Sequence, residues 1–186
     1  MKKIFKSLRP ALISFLVLTV ICGVIYPGIV TGFAQLVFPK QANGSIITVT
    51  LKDGTKKNFG SALIGQEFTE PKYFIGRPMG TTNLSSVSKE QRALVEKRIA
   101  WWHTFDPQNK KEIPMDLVTA SGSGVDPNIS PEAAEYQVTR VAKVRGISEN
   151  AVRKIIKKYT TGRVLGVWGE PAVNVLKINL ALDGLL

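Results

Sequence analysis

The sequence predicts an α+β protein: a single N-terminal transmembrane helix followed by one extracytoplasmic α+β domain. Three observations predict it. Residues 10–39 contain no Asp, Glu, Lys, Arg or His. The residues beyond them mix β-branched runs with capped, amphipathic helical stretches. The length of 186 residues suits one ordinary domain plus an appendage and is too short for two full cores. The expected division is a basic cytoplasmic N-terminus over residues 1–9, the transmembrane helix over 10–38 and the outer domain over 39–186.

The apolar run begins at Ala11 and reads without a polar break to Tyr26, except for Ser14 and Thr19. A charge in lipid costs several kcal/mol, so a charge-free stretch of this length marks a spanning helix. Residues 11–26 alone rise only about 24 Å, short of the ~30 Å hydrocarbon core. The helix is therefore expected to continue through Pro27 and Gly28 to Phe33, with a kink at Pro27, where one helical hydrogen bond is lost. Lys2, Lys3, Lys6 and Arg9 precede the run with no acidic residue among them. The positive-inside tendency keeps that end in the cytoplasm and sends the rest of the chain outside. A cleaved signal peptide ending at Gly32-Phe33-Ala34 competes with this reading, but a signal core spans only about 7–15 residues. A lipoprotein signal at Cys22 fits poorly with the bulky Ile21 before it.

Residues 45–51 are β-branched and read as a strand. Asp53-Gly54 is a turn pair leading into a second strand over 55–59. The type of 62–68 is left open. Ser88 and Gln91 have capping-box spacing ahead of a helix to Trp102, with Leu94, Val95, Ile99 and Trp102 on its inner stripe. Residues 115–119 read as strand and 120–124 as a flexible loop. Ser130-Pro131 pairs a good N-cap with proline at the first helical position. The helix it opens should bury Ala134, Val138, Val141 and Ala142 and stop at Gly146. Ser148 caps another, bearing Val152, Ile155, Ile156 and Tyr159. Leu176, Ile178, Leu180 and Leu182 alternate with Lys177, Asn179 and Ala181, which predicts a half-buried strand.

Composition excludes several chemistries. Cys22 is the sole cysteine and His103 the sole histidine, so neither an internal disulfide nor a His/Cys zinc site can form. No Gly-Lys dipeptide occurs, which excludes a phosphate-binding P-loop. The phosphorylation motif of P-type pumps and the potassium-channel filter motif are absent. Gly122-Ser123-Gly124 has no histidine partner of the hydrolase kind. Outside the apolar segment and its flank, 21 basic and 14 acidic residues leave a net charge of +7. Such a charge suits nucleic acid, anionic lipid or an acidic protein face. The basic helix pair over 131–159 has the outline of a helix-turn-helix DNA reader, but an extracytoplasmic location removes nucleic acid as a partner. Ser121, Gly122, Ser123 and Gly124 read in two ways. One is an anion-binding nest beside a helix N-terminus. The other is a tight connection in which glycine supplies positive φ.

The stretch from Asp116 to Ala134 resembles the signature of the C subunit of the Kdp potassium-transporting ATPase. Four other pieces fit that family in order: Arg9-Pro10-Ala11 with the apolar run to Pro27, Leu63–Gln66, Tyr73-Phe74-Ile75-Gly76-Arg77-Pro78, and Gly169-Glu170-Pro171 with Val173–Leu176. Asn128 stands where the family usually has histidine, and Thr81–Ser88 is short relative to the family. The resemblance implies a non-catalytic accessory subunit of an ATP-driven potassium uptake pump. Its implied partners are a channel-like ion-conducting subunit, a P-type ATPase subunit bearing the phosphorylated Asp, a small single-span subunit, and membrane lipid. ATP and K⁺ belong to the complex, and the chain has no cofactor or metal of its own. The family is described as a catalytic chaperone raising ATP affinity, with a nucleotide-binding stretch that corresponds here to Ser121, Gly122, Ser123, Gly124 and Gln137. The flanking charges place that loop across the bilayer from cytoplasmic ATP. The residues themselves therefore predict a structural role, with the outer domain capping the ion entrance. A membrane-anchored extracytoplasmic hydrolase and a surface binding module are the alternatives.

Overall fold

The structure is a computed structural model that describes residues 2–186. The chain forms two compact units that divide between Ile46 and Ile47. The first is helical. Helix α1 (Lys2–Val20) passes through a π-helical turn, Ile21–Ile25, into α2 (Tyr26–Val37). The disturbance expected of Pro27 takes that form. Proline has no N–H to offer Gly23, and the Tyr26 N–H reaches Ile21 O, five residues back. The part from Leu8 to Val37 is apolar enough to cross a membrane. Its 30 residues span about 45 Å. None of its side chains is buried, as expected of a helix whose solvent is lipid. A one-turn helix α3, Pro39–Ala42, follows, steadied by hydrogen bonds between the Gln35 and Asn43 side chains.

The second unit mixes helix and sheet, as the sequence predicts. Strands β1 (Ile46–Thr50) and β2 (Lys56–Ser61) form a hairpin. At its turn Gly54 takes φ +82° and Asp53 Oδ1 accepts the Thr55 N–H at 2.9 Å. Helix α4 (Lys89–Phe105) starts where the cap predicts, with Ser88 Oγ accepting the Gln91 N–H at 3.1 Å. The reciprocal half of the capping box does not form, and Gln91 Oε1 is buried without a partner.

Helix α5 (Pro131–Arg145) is the centre of the domain. Ala134, Val138, Val141 and Ala142 are all buried, as the pattern predicts. Gly146 ends the helix in the left-handed region at φ +65°, with Ile147 N–H returning to Ala142 O. Helix α6 (Glu149–Lys158) is capped by Ser148 and lays Val152 and Ile156 against α5. Short strands β3 (Asn128–Ile129), β4 (Thr160–Thr161) and β5 (Ala172–Asn174) make an antiparallel sheet in the order β3-β5-β4. Asn128 pairs with Asn174 and Thr160 with Val173.

Two expected strands are helical. Residues 175–182 form helix α7 (Val175–Leu182), not a strand. Asn174 Oδ1 caps it by accepting the Lys177 N–H, and Val175, Leu176, Ile178, Asn179 and Leu180 are all buried. Burial on so wide a face leaves no amphipathic period, so alternation of residue types carried no information about the backbone. Residues 115–117 form a 3₁₀ turn rather than the strand expected over 115–119. Asp116 there turns to bind Ser130, and Thr119 Oγ1 bonds back to Met115 O at 2.8 Å.

Candidate functional site

The segment Tyr73–Pro78 has no strand or helix of its own, yet Phe74 is fully buried. Its backbone groups must find partners, and side-chain amides supply them. Asn179 of α7 accepts the Phe74 N–H at 2.8 Å and donates to Phe74 O at 2.9 Å. Gln137 of α5 does the same for Ile75, at 2.8 and 3.0 Å. Each amide acts as one residue of a neighbouring strand. Arg140 donates to Pro71 O and, at 3.0 Å, to Tyr73 O. Arg145 reaches Lys72 O at 2.7 Å, Leu182 O at 2.8 Å and the Asp183 carboxylate at 2.8 Å. The Tyr73 hydroxyl donates to Asp183 as well, and burial together with that hydrogen bond raises its pKa.

A second irregular stretch, 117–126, is held in the same manner. Trp102 Nε1 donates to Leu117 O at 3.1 Å and Arg98 to Val118 O at 2.9 Å. Arg77 reaches Thr119 O and Ala120 O, both at 3.3 Å.

The two serine hydroxyls of the Ser121–Gly124 loop are engaged by nearby backbone donors. Ser121 Oγ accepts the Gly124 N–H at 3.0 Å, and Ser123 Oγ accepts the Val125 N–H at 3.3 Å. The loop then clasps two other backbones. Gly80 N–H donates to Gly124 O at 2.8 Å, and Gly65 N–H donates to Val125 O at 2.7 Å. A Cβ on Gly124, whose φ is +70°, would lie 2.6 Å from the Gly80 carbonyl carbon. One on Gly65 would lie 2.7 Å from Asp126 O. Glycine is required at both places for the close approach of two chains. The Gln137 amide bonds to Ile75, Ala133 and Arg140 rather than to this loop, and all of its capacity is committed there. The N-terminus of α5 is already occupied from within. Ser130 Oγ accepts the Ala133 N–H, and Asp116 accepts both the Ser130 N–H at 2.7 Å and its hydroxyl at 3.2 Å.

Beside this clasp lies an open groove of about 850 Å³, lined by Glu112, Asp116, Asp126, Glu132 and Glu170 with Arg77 the one cation. On a domain whose overall charge is basic, this face is locally negative and draws cations toward it. Asp126 accepts the Asn128 N–H at 2.9 Å, so it and Asp116 both serve the backbone. Among the described residues no three His, Cys, Asp or Glu side chains gather as a metal site. His103 is exposed on α4.

The pins Arg140, Arg145 and Asn179 escaped the reading of the sequence. A signal was present: Gln137 and Arg140 fall among the buried positions of α5, and Asn179 interrupts an apolar run. A polar residue on an apolar face marks a backbone that needs a partner.

A helix apolar enough to span a membrane, joined to an α+β domain whose irregular segments hold one another, is the architecture of a membrane-transport subunit. The chain belongs to the family described as KdpC, the c chain of the K⁺-transporting ATPase, whose sequence model matches residues 8–184. It is 58% identical to the "Potassium-transporting ATPase KdpC subunit" of Listeria monocytogenes serovar 1/2a over 100% of this chain and 99% of that one. The proteins of the same description from Clostridium perfringens and Methylococcus capsulatus are 47% and 49% identical. They cover 97% and 95% of this chain, and 98% and 97% of their own lengths.

Proposed function

We propose that this subunit assembles and stabilises an ATP-driven, high-affinity potassium uptake complex from the outer side of the cytoplasmic membrane. Its partners would be a channel-like ion-conducting subunit, a P-type ATPase subunit that carries the phosphorylated Asp, and a small single-span subunit. The N-terminus stays in the cytoplasm, the helix over 10–38 spans the membrane, and the domain over 39–186 caps the ion entrance. The observation that carries this reading is the apolar helix Leu8–Val37, whose charge-free part from residue 10 onward is preceded in sequence by Lys2, Lys3, Lys6 and Arg9. The acidic groove supports it, because a negative face at an ion entrance enriches K⁺ locally. Any gain in the ATP affinity of the pump is then an indirect effect of holding the complex in one arrangement. The backbone clasp of Gly124 on Gly80 and the committed amide of Gln137 favour a structural duty for these residues over contact with nucleotide.

Labelling tests the orientation. Ser123 is exposed, so Ser123→Cys in a Cys22→Ser background presents one reactive thiol. An impermeant maleimide should label it in intact cells carrying the whole complex. Labelling confined to inverted vesicles would overturn the reading and return the nucleotide role to the loop. The assembly role is tested by recovery. The chain should co-purify in fixed ratio with a P-type ATPase, and a chain that purifies alone with an activity of its own would be a hydrolase or a binding module instead.

A further inference from the structure

A second groove, of about 830 Å³, runs between the loop 106–111 and one face of α5. Lys110, Lys111, Arg140 and Lys143 line it, with Asp106 the one carboxylate. Arg140 is only 6% exposed. A buried guanidinium is normally met by a carboxylate. Here its terminal nitrogens bond only to neutral acceptors, the carbonyls of Pro71 and Tyr73 and the Gln137 amide, and its face lies over the Phe105 ring. Among the described residues no ion pair joins it to Asp106 or to any other acid. Its Nε is buried without an acceptor. Burial pushes its pKa down to about 10, and the nearby charge of Asp106 offsets only part of that cost. Lys143 uses one of its three donors on Gln108 at 2.9 Å.

We propose that this groove binds a phosphate group, which Lys110, Lys111 and Lys143 contact and whose negative charge offsets the buried guanidinium of Arg140. Four cations lining one groove against a single carboxylate suit a tetrahedral oxyanion with acceptors on every side. The groove is separate from the acidic one, and its volume admits a group larger than a single atom. The phosphate can come from solution or from a phospholipid headgroup, since the chain also carries a helix fit to span a bilayer.

The experiment uses the full chain in non-ionic detergent. Inorganic phosphate is titrated at constant ionic strength, while the thermal midpoint and the acetylation of individual lysines are followed, the latter by mass spectrometry. The chain is also reconstituted into phosphatidylcholine vesicles with and without phosphatidylglycerol. Saturable protection of Lys110, Lys111 and Lys143 is expected. The variant K110Q/K111Q/K143Q should bind at least about tenfold more weakly, as loss of charge-assisted hydrogen bonds implies. The exposed lysines of α6 provide a control of equal charge change, and K154Q/K157Q/K158Q should bind as the parent does. All six are surface substitutions, and circular dichroism confirms the fold. Saturation by inorganic phosphate identifies a free oxyanion. Protection only in vesicles containing phosphatidylglycerol identifies a headgroup. Absence of saturation in both settings, or equal weakening in the two triple variants, overturns the proposal.

Discussion

At the scale of single residues, Gly122 and Gly124 are two positions apart and should respond oppositely to a methyl group. Gly124→Ala forces φ +70° on an alanine and drives its Cβ into the Gly80 backbone. Neither backbone has a flexible side chain to move aside, so the expected loss is about 2–4 kcal/mol, combining left-handed strain with overpacking. A Cβ on Gly122 meets nothing within 4 Å and its φ is ordinary, so Gly122→Ala should change stability by no more than about 0.5 kcal/mol. Urea unfolding of the full chain in detergent separates the two. The amide pins make a comparable pair. Gln137→Ala and Asn179→Ala each leave a backbone N–H and C=O of the Tyr73–Pro78 segment unserved, at an expected cost of about 2–3 kcal/mol. Phe74 and Ile75 are adjacent, so release of one frees the other, and the double variant should lose less than the sum. Sequence exposes such glycines only as turn candidates. The requirement at Gly65 and Gly124 comes from a chain distant in sequence, and no local pattern contains it.

At the scale of elements, what was legible is what is chemically local. Ser88, Ser130 and Ser148 announce three helices, Gly146 ends one, and Asp53-Gly54 marks the hairpin, because each acts on a backbone group within four residues. Helix α7 was illegible because its neighbours, not its own pattern, decide its state. Asn179 looks like a solvent-facing residue of a strand and is in fact 1% exposed, turned to Phe74. The 3₁₀ turn at 115–117 follows from Asp116, whose carboxylate reaches 14 residues ahead to Ser130. Two caps have testable consequences. Ser130→Ala removes the cap of α5 and leaves Asp116 with one hydrogen bond fewer, for an expected loss of about 1–2 kcal/mol in urea unfolding. Glu149, in the first turn of α6, is held below its ordinary pKa by the Thr139 hydroxyl and by Arg153. A depressed carboxyl pKa means that the unfolded chain takes up the proton first as pH falls. The contribution of Glu149 is therefore full above pH 4.5 and fades below it. Glu149→Gln should flatten the fall in thermal midpoint over that acidic range and leave its neighbours' part of the curve unchanged.

At the scale of the whole molecule, the proposed orientation rests on very few charges. The helix Leu8–Val37 contains a single charged residue, Arg9, and long domains translocate largely without regard to their own charge. In the proposed orientation Lys2, Lys3, Lys6 and Arg9 are the charges that hold the N-terminal end inside. If they act as proposed, replacing all four with glutamine in the Ser123→Cys, Cys22→Ser background should give a mixed population, with part of the introduced thiol shielded from an impermeant reagent in intact cells. Replacing four lysines of the domain, among them Lys154, Lys157 and Lys158, should leave labelling complete, although it removes the same charge. The contrast matters because the domain's net +7 would favour the cytoplasmic side if total charge governed topology. Equal effects from the two replacements would mean that net charge, or a partner subunit, sets the orientation. The entrance-capping role would then need support from elsewhere, since it depends on residues 39–186 lying where potassium enters.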